Sequence, residues 1–180
     1  MLKGKHTGLR AIDREDLPFL LDWRNTPELR RYFREYRELS TAQQNAWFEN
    51  VTFKDNRTLM FAIVELATSR LLGASGLCYI DWVNKNADFS IYIGANDLYI
   101  DDAFAPDAAI TMARYAFHEL GMHRLWSEIY DFDSPKKCFF EKLGFSMDGR
   151  HRQTHWGEGK WHDSLFFGIL ADEFEARHGT

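Results

Sequence analysis

The chain has 180 residues, with 22 Lys and Arg against 27 Asp and Glu, and a formal net charge of −5. This length suits one domain with a single hydrophobic core, and we expect residues 1–180 to form one domain. Net acidity without a stripe of Lys or Arg argues against nucleic-acid binding, because phosphate neutralisation supplies most of that affinity.

No segment of the sequence predicts membrane insertion or export. The longest apolar runs, such as residues 89–93 and 165–170, have the length of strands and fall far short of the roughly 20 residues that cross a bilayer. Residues 1–8 carry basic side chains with no apolar run behind them, unlike a secretory signal. We therefore expect a cytoplasmic protein with neither a membrane nor a nucleic-acid partner.

The N-terminal part predicts one strand and two helices. Residues 9–12 form an apolar strand candidate, and Asp13 begins a helix whose leucine stripe continues to Asn25. Ser40 and Gln43 have the capping-box pattern of a second helix. Between the two helices, arginines alternate with glutamates, which is typical of a solvated helix face. These arginines are Arg30, Arg31, Arg34 and Arg37.

The middle of the chain predicts an antiparallel meander and then a long helix. Residues 59–66, 71–79 and 87–93 have the composition of strands and are separated by short polar turns. Pro106 is suited to a first helical turn, and the apolar stripe behind it continues to Leu120.

The C-terminal part predicts a strand at 125–130, a helix at 134–143, and two strands at 145–151 and 161–170. The element order is therefore β-α-α-β-β-β-α-β-α-β-β. Since strands and helices are interspersed and the sequence holds no linker, this order predicts an α/β domain with a mixed sheet.

Three stretches, at 115–125, 139–145 and 148–152, resemble the GNAT superfamily of acyl-CoA-dependent N-acetyltransferases. The resemblance is closest to the branch that contains the ribosomal-protein N-terminal acetyltransferases, and the predicted element order is also the one that this family uses. It implies a mostly antiparallel sheet of about seven strands with about four helices and a V-shaped cleft between two splayed strands.

The same resemblance implies acetyl-CoA as co-substrate and no metal. The pantetheine arm would lie between the splayed strands at 87–93 and 125–130, where unpaired backbone groups can bond an amide-rich ligand. The pyrophosphate would lie at the N-terminus of the main helix, which favours anions. The residues implied to bind the cofactor are Ile91, Tyr92, Ile93, Asp101, Asp102, Ala103, Phe104, Ala105, Asp133, Lys137 and Phe140.

The loop before the main helix departs from the family pattern. The family signature is Arg or Gln, two residues, Gly, one residue, then Gly or Ala, whereas this chain has Ile100, Ala103 and Ala105. Only the last position matches. Asp101 and Asp102 also add negative charge where a pyrophosphate would bind.

The chemistry departs from the pattern as well. Counting back from Gly144, the family's asparagine position holds Asp133 and its proton-donating tyrosine position holds Phe140. Phenylalanine cannot protonate a leaving thiolate, and loss of a general acid typically lowers the rate about a hundred- to ten-thousand-fold. Tyr130 is a candidate replacement, with packing in the core as the alternative.

Two carboxylates are candidates for receiving the acceptor's proton. Asp88 opens the third meander strand, where related enzymes often place a carboxylate, and its alternative is a solvated acid at a strand end. Glu128 lies across the predicted cleft, and its alternative is a buried ion pair.

Trp23, Arg24 and Asn25 are candidates for the acceptor pocket. Together with residues 47–48 and 76–77, they resemble family members that acetylate nucleotide-linked aminosugars. Arg24 would then bind a carboxylate or phosphate of the substrate. The alternative is a helix C-terminus in which the arginine complements the helix dipole.

The histidines near the C-terminus do not predict a metal site. They lack ligand spacing and read as surface residues, and they are His151, His155 and His162.

The sequence therefore predicts an enzyme, a GNAT N-acetyltransferase that moves an acetyl group from acetyl-CoA to a primary amine by direct attack in a ternary complex. The acceptor would be an aminosugar-type small molecule or a protein N-terminus. The alternative is a degenerate GNAT domain that senses a ligand or binds a protein without turning over coenzyme A. By analogy with the family, we also expect a homodimer.

Overall fold

The computed structural model describes residues 1–179, which form eight strands and six α-helices. The strands are β1 (Leu2–Lys3), β2 (Thr7–Ala11), β3 (Leu59–Glu65), β4 (Leu71–Asp81), β5 (Asn86–Ile93), β6 (Arg124–Tyr130), β7 (Ser146–Gly157) and β8 (Lys160–Leu170). The helices are α1 (Leu17–Asn25), α2 (Pro27–Arg30), α3 (Thr41–Phe53), α4 (Phe104–Arg114), α5 (Ser134–Leu143) and α6 (Ala171–His178). None of the helices described is long and apolar enough to cross a membrane.

All eight strands lie in one sheet, in the order β1-β2-β3-β4-β5-β6-β8-β7. Every neighbouring pair is antiparallel except β5 and β6, which run parallel. The parallel pair follows from the crossover through α4, because parallel neighbours need a long connection. The predicted fold class is confirmed.

The two faces of the sheet carry different helices, and β5 shows the division. Phe89, Ile91 and Ile93 pack into the main core with α4, α5 and α6, whereas Tyr92 packs into a smaller core with residues of α1 and α2. This alternation is the period of two expected of a strand that is covered on both faces. We call these the α4/α5 face and the α1/α2 face.

Some elements were missed or misplaced by the sequence analysis. The strand β1 and the helix α2 have only two and four residues, too few for a periodic pattern. Helix α6 is mostly polar and is anchored by one buried ring, that of Phe174, which packs on Phe117 at a centroid distance of 5.2 Å. Helix α4 begins at Phe104 rather than Pro106, and a π-helical turn, Tyr115–Glu119, follows it.

Candidate active site

Strands β5 and β6 separate after three paired positions. The last pair is Asp88 with Trp126, and beyond it Phe89–Ile93 and residues 127–130 do not pair with each other. Their outer edges remain paired, β5 with β4 and β6 with β8. The sheet therefore contains a V-shaped gap, as predicted, whose vertex lies at Asp88.

The edge of β5 offers backbone groups to this gap. At the wide end, the N–H of Ile93 donates to the carbonyl of Tyr99 at 2.9 Å, whereas the N–H of Gly94 donates to Leu72 of β4. Because backbone groups alternate along a strand, those of Ile91 point into the gap with those of Ile93, and those of Tyr92 point to β4. Tyr92 also places its ring in the smaller core.

A cavity of about 530 Å³ opens at the vertex on the α1/α2 face. Acidic and basic side chains line it in equal number, with aromatic rings between them. The acids are Glu35, Asp55, Asp88 and Glu128, and the bases are Arg24, Arg34, Arg37 and Lys136. Such balance differs from a pocket built for a polycation, which would expose carboxylates in excess.

One guanidinium bridges the two carboxylates at the vertex. Arg34 Nη1 donates to Asp88 Oδ2 at 2.6 Å, and Arg34 Nε donates to Glu128 Oε2 at 3.3 Å. Ser164 Oγ donates to the other oxygen of Glu128 at 2.5 Å. The guanidinium also lies over the rings of Tyr79 and Trp126, at 5.5 and 6.0 Å from their centroids.

Burial distinguishes these two carboxylates. The Asp88 side chain is 5% exposed, so the alternative of a solvated acid at a strand end is wrong. Glu128 is in an ion pair, as its alternative predicted, but its side chain is 24% exposed. Burial raises the pKa of Asp88, and Arg34 opposes that shift. A carboxylate with a raised pKa is a stronger base near neutral pH.

Tyr130 lies at the end of β6, outside the residues that line the cavity. Its ring stacks on His155 at 3.7 Å and on Phe132 at 5.6 Å between centroids. Burial raises its pKa. This packing favours the structural alternative for Tyr130 over a role as the general acid.

The predicted acceptor triplet divides into one cavity residue and two structural ones. Trp23 packs so closely on Gly94 that an added Cβ there would lie 2.0 Å from the indole. The side chain of Asn25 exchanges two hydrogen bonds of 2.8 Å with the backbone of Leu39 and so closes the loop between them. Arg24 lines the cavity and stacks over Phe33 at 5.2 Å.

The guanidinium of Arg24 has no acidic partner among residues 1–179. No carboxylate oxygen lies within 4.0 Å of it, whereas Arg34 and Arg37 both form ion pairs. Arg37 donates to Glu35 through Nη2 at 2.7 Å, and this contact holds the pKa of the Glu35 carboxyl at about 2. Arg24 is thus the guanidinium of the cavity that is available to an anion.

The N-terminus of α4 already has an anion on it. The Asp101 carboxylate accepts hydrogen bonds from the N–H groups of Ala103, Phe104 and Ala105, at 2.8, 2.7 and 2.8 Å. Pro106, the next residue, has no N–H. The donors that the family resemblance assigned to a pyrophosphate are therefore capped by the chain's own side chain.

The remaining predicted cofactor residues lie on α5 and on the loop before α4. Asp133 caps α5 and accepts a 2.6 Å hydrogen bond from the hydroxyl of Tyr99, and burial raises the pKa of its carboxyl. Phe140 is fully buried and packs against Phe89, Phe139, Phe145 and Phe167. Lys137 and Asp102 are exposed, and Asp102 accepts from Lys142 Nζ at 3.0 Å.

The histidines correct one expectation. His162 is only 5% exposed and its Nδ1 lies 3.0 Å from Asp131 Oδ1, so the prediction of a surface histidine is wrong for it. His151 is exposed, and His155 is half-buried. Within the described chain, no group of three or more His, Cys, Asp or Glu side chains is placed to hold a metal ion.

Comparison with known proteins gives the family. A family profile described as an acetyltransferase (GNAT) domain matches residues 6–146. The chain belongs to the GNAT acetyltransferase family. This confirms the predicted enzyme class, an N-acetyltransferase that uses acetyl-CoA as co-substrate.

Two GNAT relatives match almost the whole chain. The SPbeta prophage-derived uncharacterized N-acetyltransferase YokL of Bacillus subtilis (strain 168) is 28% identical over 176 residues, which are 98% of this chain and 96% of YokL. Spermidine N(1)-acetyltransferase of Escherichia coli (strain K12) is 26% identical over 174 residues, 96% of this chain and 90% of that enzyme. They give no support to the narrower resemblance to the ribosomal-protein branch.

The solved structures agree on the fold. The spermidine N-acetyltransferase of Vibrio cholerae, crystallised with CoA and spermine, superposes with a TM-score of 0.84 at 21% identity, covering 94% of this chain and 98% of that chain. A GCN5-related N-acetyltransferase from Brucella melitensis gives a TM-score of 0.78 at 23% identity, covering 97% and 80%. At these identities the likeness establishes the GNAT architecture alone.

The residues present fit acetyl-CoA along the gap. The free edges of β5 and β6 suit the amides of a pantetheine arm. A second cavity of about 300 Å³ lies beside the N-terminus of α4 and is lined by Asp101, Asp102 and Lys142. Lys142 is a cation suited to phosphate, and in this structure it pairs with Asp102. Asp101 must release the three N–H groups before these can bind a pyrophosphate. When bound, acetyl-CoA supplies the activated acetyl thioester.

Sequence reasoning missed several cavity residues of this GNAT domain. Arg34 was interpreted as part of a solvated helix face, yet it lines the cavity, pairs with two carboxylates there and lies outside any helix. Lys136 was not singled out, because two lysines in the first turn of a helix usually indicate exposure. Tyr99 does not line the cavity, but its ring lies 5.4 Å from Lys136 Nζ, and its loop carries no motif. Only the geometry of the gap brings Arg34 and Lys136 together.

Proposed function

We propose that this chain acetylates the primary amine of a small acceptor that also carries an anionic group, such as an aminosugar phosphate. The observation that carries this proposal is the free guanidinium of Arg24 beside a vertex whose carboxylates are already paired. A phosphate or carboxylate on the acceptor would satisfy Arg24 with a charge-assisted hydrogen bond.

Asp88 and Glu128 orient the acceptor's amine and take its proton. An amine attacks a thioester only when neutral, so a base must be within reach, directly or through one water. Asp88 suits this role because it lies at the vertex, where the gap meets the cavity, and because burial raises its pKa. Arg34 holds both carboxylates in place and leaves them oxygen atoms that accept from an N–H.

A polyamine is the second candidate acceptor. Two observations favour it: four carboxylates line the cavity, and the relatives include spermidine N-acetyltransferases. Yet Glu35, Asp88 and Glu128 are all bound to arginines of this chain. A polycation would have to displace those arginines, which disfavours it here. A protein N-terminus is the third candidate acceptor, and a short peptide represents it in the test below.

The acceptor class is tested by matched substrates. Release of the coenzyme A thiol would be followed with glucosamine phosphate, glucosamine, spermidine and a short peptide as acceptors. We expect the phosphorylated sugar to have the highest kcat/KM, and Arg24→Met to lower that value about 10- to 100-fold, as for one hydrogen bond to a charged group. With unphosphorylated glucosamine, the same substitution should change little.

The control is Arg152→Met, which removes the same charge from an exposed position on β7 that does not line the cavity. It should leave the preference for the phosphorylated sugar unchanged. A higher kcat/KM for spermidine than for glucosamine phosphate would overturn the proposal and favour the polyamine. Equal losses of kcat/KM in Arg24→Met for both sugars would show that Arg24 does not bind the phosphate of the acceptor.

A further inference from the structure

Lys136 connects helix α5 with the cavity at the vertex of the V-shaped gap. It belongs to the first turn of α5, and α5 packs on the α4/α5 face, whereas the cavity lies on the opposite face. Lys136 nevertheless lines that cavity together with Asp88 and Ser127. The gap between β5 and β6 opens beside Asp88 and Ser127, so the lysine side chain lines the end of the gap where the proposed reaction would place the thioester.

The ammonium of Lys136 has no hydrogen-bonding partner in the described chain, and the side chain lines the open cavity. The residue is 9% exposed, and its Nζ has neither a hydrogen bond nor an ion pair with any other residue of the described chain. Its nearest recorded contact is the ring of Tyr99, 5.4 Å from Nζ to the centroid. Because the ammonium lines the cavity and donates to no group of the described chain, its N–H groups are available to a group that arrives with the ligand.

Charged groups surround Lys136 on three sides. Asp133 lies on its own helix and Asp88 on β5, both acidic, and Glu128 lies on β6. Arg34 faces it from the segment after α2 and opposes its charge. Burial lowers the pKa of Lys136, while Asp133 and Asp88 raise it. The ammonium of Lys136 is thus a stronger acid than that of a surface lysine.

The reaction needs a proton donor that the usual position does not supply. Phe140 is fully buried among other phenylalanines and has no proton to give. Tyr130 stacks on His155, outside the cavity lining. We propose that Lys136 is the general acid of this enzyme and protonates the sulfur that leaves the acetyl group. This inference rests on the proposed acetyl transfer.

In the proposed step, Lys136 loses a proton as the acetyl group moves from sulfur to nitrogen. The C–N bond to the amine forms as the C–S bond breaks, and the sulfur keeps the bonding electron pair. Lys136 gives one Nζ–H proton to that sulfur and becomes a neutral amine, while Asp88 takes the proton that the attacking amine loses. Lys136 recovers its proton from solvent through the open cavity before the next turnover.

The test compares Lys136→Met and Lys136→Arg with a matched control, Lys160→Met, which removes an exposed lysine at the start of β8. We expect Lys136→Met to lower kcat about a hundred- to ten-thousand-fold with a small change in KM. Lys136→Arg should be nearly as slow, because arginine keeps the charge but does not give up a proton. Full activity in Lys136→Arg would overturn the proposal.

The pH profile adds a second expectation. Lys136 must be protonated to act, so activity of the unaltered enzyme should fall as the pH rises through a lysine pKa that lies below 10.5. In Lys136→Met this descending limb should disappear. Methionine has a similar length and no charge, so the variant should fold with at least equal thermal stability.

A measurement without an acceptor separates this inference from the proposed function. The ultraviolet absorbance of the thiolate gives the pKa of bound coenzyme A, and the nearby ammonium should lower that pKa by about one unit or more. Lys136→Met should return it to the value in solution. If it stays unchanged while the unaltered enzyme is active, Lys136 is not the acid and acetyl transfer stands. If it shifts while no acceptor reacts, the function fails and the lysine–sulfur contact stands. Failure of coenzyme A to bind would refute both.

Discussion

The two ends of the gap are both neutralised by the chain itself, but in different ways. At the vertex, the Arg34 guanidinium forms ion pairs with the carboxylates of Asp88 and Glu128. At the start of α4, the Asp101 carboxylate accepts hydrogen bonds from three backbone N–H groups. One end thus holds an internal cation where we propose that the amine binds, and the other holds an internal anion where we propose that the pyrophosphate binds.

The two ends differ in the sequence separation between the neutralising residue and the groups that it neutralises. Arg34 is 54 residues from Asp88 and 94 from Glu128, so tertiary structure holds it, and stacking on Tyr79 and Trp126 adds to that. Asp101 is two to four residues from its donors and needs only a side-chain rotation to release them. We infer that the vertex is a fixed part of the site, whereas the cap on α4 gives way to a ligand.

Removing Arg34 should have the largest effect. Arg34→Met leaves the buried Asp88 carboxylate without its main partner, so the free energy of unfolding should fall by about 2–4 kcal/mol, reduced from the value of a fully buried pair because Arg34 is partly exposed. Chemical denaturation at neutral pH measures this. Stability should partly return as the pH falls, since the unpaired Asp88 carboxyl then takes up a proton and becomes neutral.

The double variant Arg34→Met, Asp88→Asn is the control for that experiment. Asparagine carries no charge, so most of the lost stability should return. If the double variant is as unstable as Arg34→Met, packing of the arginine on Tyr79 and Trp126 accounts for the loss. The vertex would then be a packing feature, and its contrast with the Asp101 cap would disappear.

The elements of this fold are readable from sequence because each main strand and helix follows a local period. The stripe of α4 and the glycine that ends α5, Gly144 at φ 96°, were both visible as patterns. Asp88 was singled out because related enzymes often place a carboxylate near the start of this strand. Arg34 and Lys136 were not predicted as cavity residues, because their positions depend on two strands that diverge. No local sequence pattern predicts that divergence.

Removing the charge of Asp101 should have an intermediate effect. Asp101→Asn keeps an oxygen that accepts from the helix N–H groups but no longer repels a pyrophosphate, so the Kd for coenzyme A should fall about three- to tenfold. Calorimetric titration at moderate salt measures it. Asp102→Asn is the matched control, because it removes the same charge from an exposed neighbour without backbone contacts. Equal gains in both variants would mean that net charge alone matters, and that the Asp101 cap does not compete.

The smallest effect should come from Lys142, which tests whether the cavity beside α4 belongs to the cofactor end. Its pair with Asp102 is exposed and screened by solvent, so Lys142→Met should leave the free energy of unfolding unchanged. The Kd for coenzyme A should nevertheless rise about two- to threefold at low salt, and the difference should vanish at high salt. Lys137→Met is the comparison, since Lys137 is equally exposed on the first turn of the same helix. A larger loss in Lys137→Met would place the phosphates along the start of α5, nearer Asp133, and would remove the reason to regard the Asp101 cap as a competitor at all.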